Sequence, residues 1–390
     1  MYKKIGIITL IGEENYGNRL QNYAVQEILR SINCDTKTIL YKKENGFEDC
    51  VEKKNLWNKL SPTHILEYVN FLKLNKLHIK NQNEKILSSL MWKYRNNVND
   101  IKRVRYSRFK KFSKYIKFTD YTISLTDYKN DKIAEFDYFI CGSDQVWNPF
   151  YPETSAIHFL DFAEYNQKIA LSPSFGVSEI PKERINIFKK WLCDFKYLSV
   201  REEQGAEIIK KLTGRDVPVL IDPTLMLTKE KWRKIETKPP FDVSGKYVLT
   251  YFLGNEINEY RQFIEKYAKE NSCRIIDLYD IRKPEYYTAN PSEFVYLIDN
   301  AEHIFTDSFH GTVFSILFEK QFTVFNRIEG GKSMSSRIDT LLKTLQIPDR
   351  RFNNQTMEQV MNKDYTHIPA ILERERNKVI KFLKDAMEIE

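Results

Sequence analysis

The chain has 390 residues, 42% hydrophobic and 29% charged, with a formal net charge of +8: enough apolar content for two cores, and no run near the ~18 apolar residues of a membrane span. Glu13 and Glu14 follow the apolar stretch Ile5–Ile11, where a secretory signal would place small residues, which argues against export by that route. Five cysteines (Cys34, Cys50, Cys141, Cys193 and Cys273), odd in number and without metal-site spacing, fit a reduced cytoplasmic setting and argue against a structural zinc site.

Lys4–Leu10 reads as a buried strand. A polar loop follows, then a helix over about Arg19–Ile32 with Leu20, Ala24, Ile28 and Leu29 on one face. Thr36–Tyr41 is the next strand, so the chain opens as β-loop-α-β, the start of a doubly wound sheet. Residues 53–117 interrupt the pattern: 17 Lys and Arg against three Asp and Glu give this segment +14 and leave −6 for the rest of the chain. Few turn signals and interleaved Leu, Ile, Tyr and Phe predict a mostly helical insertion. Its charge is either the solvated surface of those helices or a basic face toward an anionic surface. No nucleic-acid recognition motif accompanies it, and no nucleic-acid partner is expected.

Strands return at Phe136–Cys141, Lys168–Ser172, Tyr197–Val200 and Val217–Ile221, with helices at Ile185–Phe195 and Glu207–Leu212. Thr228–Ser244 is polar, contains Pro239-Pro240, and reads as a linker. Beyond it, strands at Lys246–Phe252, Arg274–Leu278, His303–Phe305 and Phe322–Phe325 alternate with helices at about Glu256–Lys269, Ser292–Asn300, Thr312–Phe318 and Ser335–Leu345. Glu373–Met387 is a final amphipathic helix. The expected fold is α/β: a Rossmann-like domain over 1–228 carrying the basic insertion 53–117, a second Rossmann-like domain over 240–345, and a tail over 346–390.

In such sheets ligands gather at the carboxyl ends of strands. Four polar loops fall there: Glu13–Arg19, Gly142–Asn148, Arg201–Glu203 and Thr306–Gly311. The first has Gly12 and Gly17 but no G-x-G-x-x-G, and no Walker A sequence exists, so a nicotinamide, flavin or P-loop site is disfavoured. Asn15, Asn18 and Gln21 offer neutral amides suited to hydroxyl-rich ligands, or serve only as turn and cap residues. In Thr306–Gly311 either Asp307 or Ser308 can cap the next helix, a task that does not need His310. An imidazole at a helix N-terminus tends toward its neutral form and suits proton transfer. Arg201, and the stretch holding Arg327, Lys332 and Arg337, carry the cations that a phosphate or carboxylate would require, or are ordinary surface groups. Asp222, before Pro223, reads as a turn residue.

The motifs Asn15-Tyr16-Gly17-Asn18, Gly142-Ser143-Asp144-Gln145-Val146-Trp147-Asn148, Ser199-Val200-Arg201-Glu202, Asp222-Pro223-Thr224 and Thr306-Asp307-Ser308-Phe309-His310-Gly311, in this order and spacing, resemble the polysaccharide pyruvyl transferase family. The resemblance implies two domains arranged as in GT-B glycosyltransferases with the site between them. It implies pyruvyl transfer from phosphoenolpyruvate, a donor substrate rather than a cofactor, to hydroxyls of a sugar in a surface polysaccharide or its lipid-linked precursor. His310 would move the proton. Arg201, Lys332, Arg337, Ser308 and Gly311 would hold the donor, and Asn15, Asn18, Gln21, Asp144 and Gln145 the acceptor. Many members carry an arginine where Ser308 stands, so the other cations are expected to replace it in part. Two other readings use the same cleft: a nucleotide-sugar-dependent glycosyltransferase, and a non-catalytic carbohydrate-binding subunit of a biosynthetic complex. Work on lipid-linked precursors also implies that the basic insertion rests on the inner membrane face.

Overall fold

The computed structural model describes residues 2–12, 14–44, 84–128, 131–327, 336–352 and 364–389, and no side chains over 84–96. Lys332, and the part of the basic insertion before residue 84, therefore lie outside the described residues. Residues 47–100 form one compact unit, and all the remainder forms the other.

The larger unit contains two parallel sheets. In the first, β1 (Lys3–Ile8), β2 (Cys34–Tyr41), β3 (Phe118–Ile123), β4 (Tyr138–Cys141), β5 (Lys168–Ala170) and β6 (Tyr197–Leu198) lie in the order β3-β2-β1-β4-β5-β6. In the second, β7 (Tyr247–Tyr251), β8 (Arg274–Asp277), β9 (His303–Thr306) and β10 (Gln321–Val324) lie in the order β10-β9-β7-β8. The strand order reverses between β1 and β4, and again between β7 and β9, so each sheet has a switch point where a crevice opens at the carboxyl ends. This is the doubly wound α/β architecture expected for both halves.

The helix after β1 runs from Tyr16 to Ser31 because Asn15 caps it, its side chain accepting from the Gly17 amide at 2.8 Å. It ends where Asn33 takes a left-handed backbone, φ 61°. Three expectations need correction. The strand β3, absent from the sequence reading, follows the insertion and pairs with β2 at the sheet edge. Val217–Ile221 does not join the sheet. Pro218 has no amide to donate, and one bridge, Val219 to Val200, aims the segment at Asp222. Within the expected linker, Thr228 caps a short helix, Lys229–Arg233, that buries Trp232.

One apolar cluster runs through both sheets, from Ile5 and Ile7 by way of Tyr16, Tyr23 and Trp232 to Leu249, Phe294 and Phe314. The last helix, Ile368–Met387, is part of it: Val379, Leu383 and Met387 are buried, and Arg376 Nε donates at 2.8 Å to Leu225 O, in the turn that follows Asp222.

Tyr16 is the keystone between the halves. Its ring stacks on Phe294 at 4.3 Å, and its hydroxyl donates to Ala289 O at 2.9 Å. Arg105, on the helix Glu84–Phe112, covers it: the guanidinium lies 4.8 Å over the Tyr16 ring and donates to Glu14 O at 3.1 Å and to Tyr287 O. Arg108 pairs with Glu293 next to it. Two cations of the basic segment are thus spent inside the protein. Tyr16→Phe should cost about 1–3 kcal/mol, because it strips a buried carbonyl of its donor. Urea denaturation checks this, and an unchanged midpoint would show the hydroxyl to be dispensable.

Candidate active site

The carboxyl ends of both sheets enclose a cavity of about 240 Å³. Asn15 and Asn18 reach it from the turn after β1, Asp144 and Gln145 from the turn after β4, Ser308 and His310 from the turn after β9, and Arg327 from beyond β10. Arg337 enters from the helix Ser336–Thr344. Lys43, Tyr151 and Glu153 add further polar groups to its wall. The sequence reading missed these three, although all lie just beyond β2 or β4, where lining residues belong.

His310 lies in the first turn of the helix Phe309–Leu317, which Ser308 caps by accepting from the Gly311 amide at 3.3 Å. Asp307 is not the cap. It accepts from the amides of Leu253, at 2.7 Å, and Gly254, at 2.8 Å, and so ties the β9 turn to the β7 turn. The imidazole packs directly on the other domain: a Cβ added at Gly17 would fall 2.1 Å from His310 Nδ1. Only glycine leaves room for this approach. Two helices therefore point their N-termini into the cavity, and neither has an acid in its first turn. Both dipoles favour an anion there.

Behind His310 lies Asp222, its side chain wholly buried, with Oδ1 3.8 Å from His310 Nε2. Oδ1 accepts from Thr224 N at 2.9 Å and Thr224 Oγ1 at 2.6 Å; Oδ2 lies 2.9 Å from Ser143 Oγ and accepts from Arg201 Nη1 at 2.7 Å. Burial pushes this carboxyl up, but His310, Arg201 and Thr224 together hold it below the usual carboxylate range. Asp222 does cap a short helical turn, as expected of a residue before proline, and it is also the centre of this network.

The expected site residues divide by this geometry. Asn15, Asn18, Asp144, Gln145, Ser308, His310 and Arg337 line one cavity. Gln21 does not: it is buried beneath, donating to Thr9 Oγ1 at 2.7 Å and accepting from Ser143 N at 3.1 Å, and so holds the β1 and β4 turns in register. Gly311 does not either, since a Cβ there would sit 2.6 Å from Thr306 Oγ1; it is small so that the helix can seat on β9. Arg201 stands behind the cavity, paired with Asp222 and, at 3.4 Å, with Asp144, and its guanidinium stacks 4.3 Å over Phe309.

Arg337 differs from Arg201. It is buried, and among the described residues no carboxylate pairs with it. Burial, with Arg201 and Arg327 nearby, pushes its guanidinium down to about 10. It remains charged at neutral pH, and among the described residues it is offset only by carboxylates beyond ion-pair distance, Glu202 and Asp144.

The family model of polysaccharide pyruvyl transferases matches residues 15–328. The chain belongs to that family, a family of transferases. No curated protein sequence matches it. Solved structures with a similar course include a UDP-GlcNAc 2-epimerase from Neisseria meningitidis bound to UDP-GlcNAc, 12% identical, with a TM-score of 0.42 over 98% of this chain and 100% of that one. Another is a protein from Listeria monocytogenes assigned as a UDP-N-acetylglucosamine 2-epimerase, 9% identical, with a TM-score of 0.46 over 100% and 97%. Nothing about activity is carried across from them.

Arg201→Ala should destabilise the protein by about 3–5 kcal/mol, the scale for breaking one side of a buried pair, because Asp222 would keep its charge without its cation. Chemical denaturation measures this, and a loss below about 1 kcal/mol would mark the pair as incidental. Asp222 also sets an acid limit. Its folded carboxyl titrates below the unfolded value of about 3.9, so its contribution is complete above that value and drains away as the pH falls through it. The stability gap between wild type and Asp222→Asn should therefore hold from about pH 7 to pH 5 and narrow below about pH 4. A constant gap would locate the acid sensitivity elsewhere.

Proposed function

We propose that this cavity binds phosphoenolpyruvate and transfers its pyruvyl unit to hydroxyls of a sugar in a surface polysaccharide or its lipid-linked precursor. The single observation that carries the donor assignment is Arg337, a buried cation without a carboxylate partner among the described residues, at the focus of two helix N-termini. Such a place calls for a compact anion with more than one charge, and phosphate and carboxylate on adjacent atoms meet that demand. Arg327 stands beside it in the cavity wall, and Lys332 lies in the segment between these two arginines. Neutral amides from Asn15, Asn18 and Gln145, with the Asp144 carboxylate, face the remaining space and suit the hydroxyls of the acceptor.

The chemistry asks for one proton-moving group. An acceptor hydroxyl adds across the enol double bond, its proton going to the methylene carbon. A second hydroxyl of the same sugar then displaces phosphate and closes the ketal, its proton leaving with the phosphate by way of His310. His310 is the side chain placed for this at the cavity wall, and the arginines stabilise the phosphate as it leaves. His310→Ala should lower kcat by roughly 10²–10⁴-fold while leaving donor affinity nearly intact. Arg337→Met, which keeps the bulk over Phe309, should instead weaken phosphoenolpyruvate binding in calorimetry by at least ~10-fold, the loss of a charge-assisted contact. Unchanged affinity in Arg337→Met, or binding of uridine diphosphate with none of phosphoenolpyruvate, would reject the donor assignment.

We further propose that the enzyme works against the inner membrane face. No helix among the described residues is long and apolar enough to cross a membrane. The outer side of the helix Glu84–Phe112 carries exposed Lys102, Arg103, Lys110 and Lys111 around Tyr106, which is 48% exposed. Each such cation near an anionic bilayer contributes on the order of 1 kcal/mol. The protein should co-sediment with phosphatidylserine vesicles at low salt and be released as salt rises. Equal binding to neutral vesicles, or none to either, would remove the membrane role.

A further inference from the structure

We propose that Asp222 fixes the proton of neutral His310 on Nε2, so that Nδ1 is the atom that exchanges a proton with the substrate. Asp222 is then a positioning residue and His310 the catalytic one. The inference rests on the pyruvyl-transfer reading for what the proton does, but not for where it sits.

Three observations carry it. Nε2 faces Asp222 Oδ1 at 3.8 Å and has no hydrogen-bond partner, although it is buried. The carboxylate it faces is itself wholly buried and is kept ionised by the guanidinium of Arg201, 2.7 Å from Oδ2, and by the hydroxyl and amide of Thr224. Finally, Nδ1 lies at the other side of the ring, against Gly17, and the ring lines the cavity together with Asn15 and Asn18.

With the proton on Nε2, the N–H dipole points at a fixed negative charge. With the proton on Nδ1, the Nε2 lone pair would face that same charge in a place without water to screen it. Turning the ring over would set a carbon against the carboxylate, which gains less than an N–H does. The contact is longer than a hydrogen bond, and both oxygens already have donors. It can shorten when the imidazole becomes cationic, since a charge attracts the carboxylate more strongly than a dipole.

The addition step then balances through one atom. Nδ1 takes the acceptor O–H proton and passes it to the methylene carbon, where the C=C π pair makes the C–H bond, and the acceptor oxygen then forms the new C–O bond at the adjacent carbon left cationic. The imidazolium between these events has Nε2–H toward Asp222 and is offset by it. Ser143, Arg201 and Thr224 hold the carboxylate at this task from the ends of β4 and β6 and from its own turn, so three residues that do not line the cavity act on the reaction through one side chain.

The test reads the tautomer directly. The chain has six histidines, so ¹⁵N-histidine-labelled wild type is compared with His310→Gln to assign the His310 signals. The expected result is a neutral ring protonated on Nε2. A ring protonated on Nδ1, or an even mixture of the two forms, overturns the proposal. In Asp222→Asn the amide can donate to Nε2, and the population should move toward the Nδ1-protonated form. The KM for phosphoenolpyruvate should then hold within about 3-fold while kcat falls by roughly 10²-fold or more. A variant that keeps both the tautomer and kcat also overturns it. If that variant does not fold, the wild-type spectrum alone decides. An Nε2-protonated ring in a protein without phosphoenolpyruvate turnover would sink the proposed reaction and leave this assignment standing.

Discussion

A carboxylate sealed from water has to be met by donors on every side, and Asp222 organises the centre of this molecule because of that demand. Uncompensated, its burial would cost several kcal/mol. Arg201, Thr224 and Ser143 meet it, and each reaches it from a different segment: the end of β6, the turn of Asp222 itself, and the end of β4. Gln21 then fixes the Ser143 amide, and Arg201 stacks on Phe309 beside His310. One desolvated charge thereby sets the relative positions of the first-sheet turns and of the helix that carries the imidazole.

The cavity in front of this network has a different electrostatic character. Arg201 is neutralised by Asp222 and Asp144, which gives it a structural task, while Arg337 has no such partner among the described residues. A downward shift of a buried guanidinium means that the site would be more stable with a negative group in it. Burial is the larger cause and the neighbouring arginines the smaller, so a bound anion that met both would be held tightly. Arg337, like Arg201, reaches Phe309, its guanidinium 6.0 Å from the ring centre.

Most of the strands and the turn that bears His310 were legible because each rests on local signals: apolar runs, the capping pattern at Ser308, and the place of polar loops after strands. What could not be read were relations between distant segments. Asp222 has the sequence of a turn, and is one; nothing nearby in the chain says that Arg201 and His310 will converge on it. Gln21 and Gly311 sit in motifs beside true lining residues, yet one fastens two turns and the other makes space for Thr306. Sequence proximity assigned them to the ligand, and packing reassigned them. Arg105 and Arg108 show the same limit for charge: their sum with the other cations reads as a surface, but both are consumed at the contact between the halves.

That contact bears on the chemistry through a single peptide segment. Tyr16 locks the first domain onto Phe294 and Ala289 of the second, and the very next residue, Gly17, is the one on which His310 rests. Asn15 caps the same turn and lines the cavity, as does Asn18. Domain closure, imidazole placement and the amide wall of the site are therefore set by four consecutive residues, and none can shift alone. A displacement of about 1 Å at Tyr16 would reach Nδ1 almost undiminished, and misplacement on that scale costs on the order of 10²-fold in rate. The aromatic stack and the Arg105 cover lie outside the cavity, yet they set where the His310 ring stands.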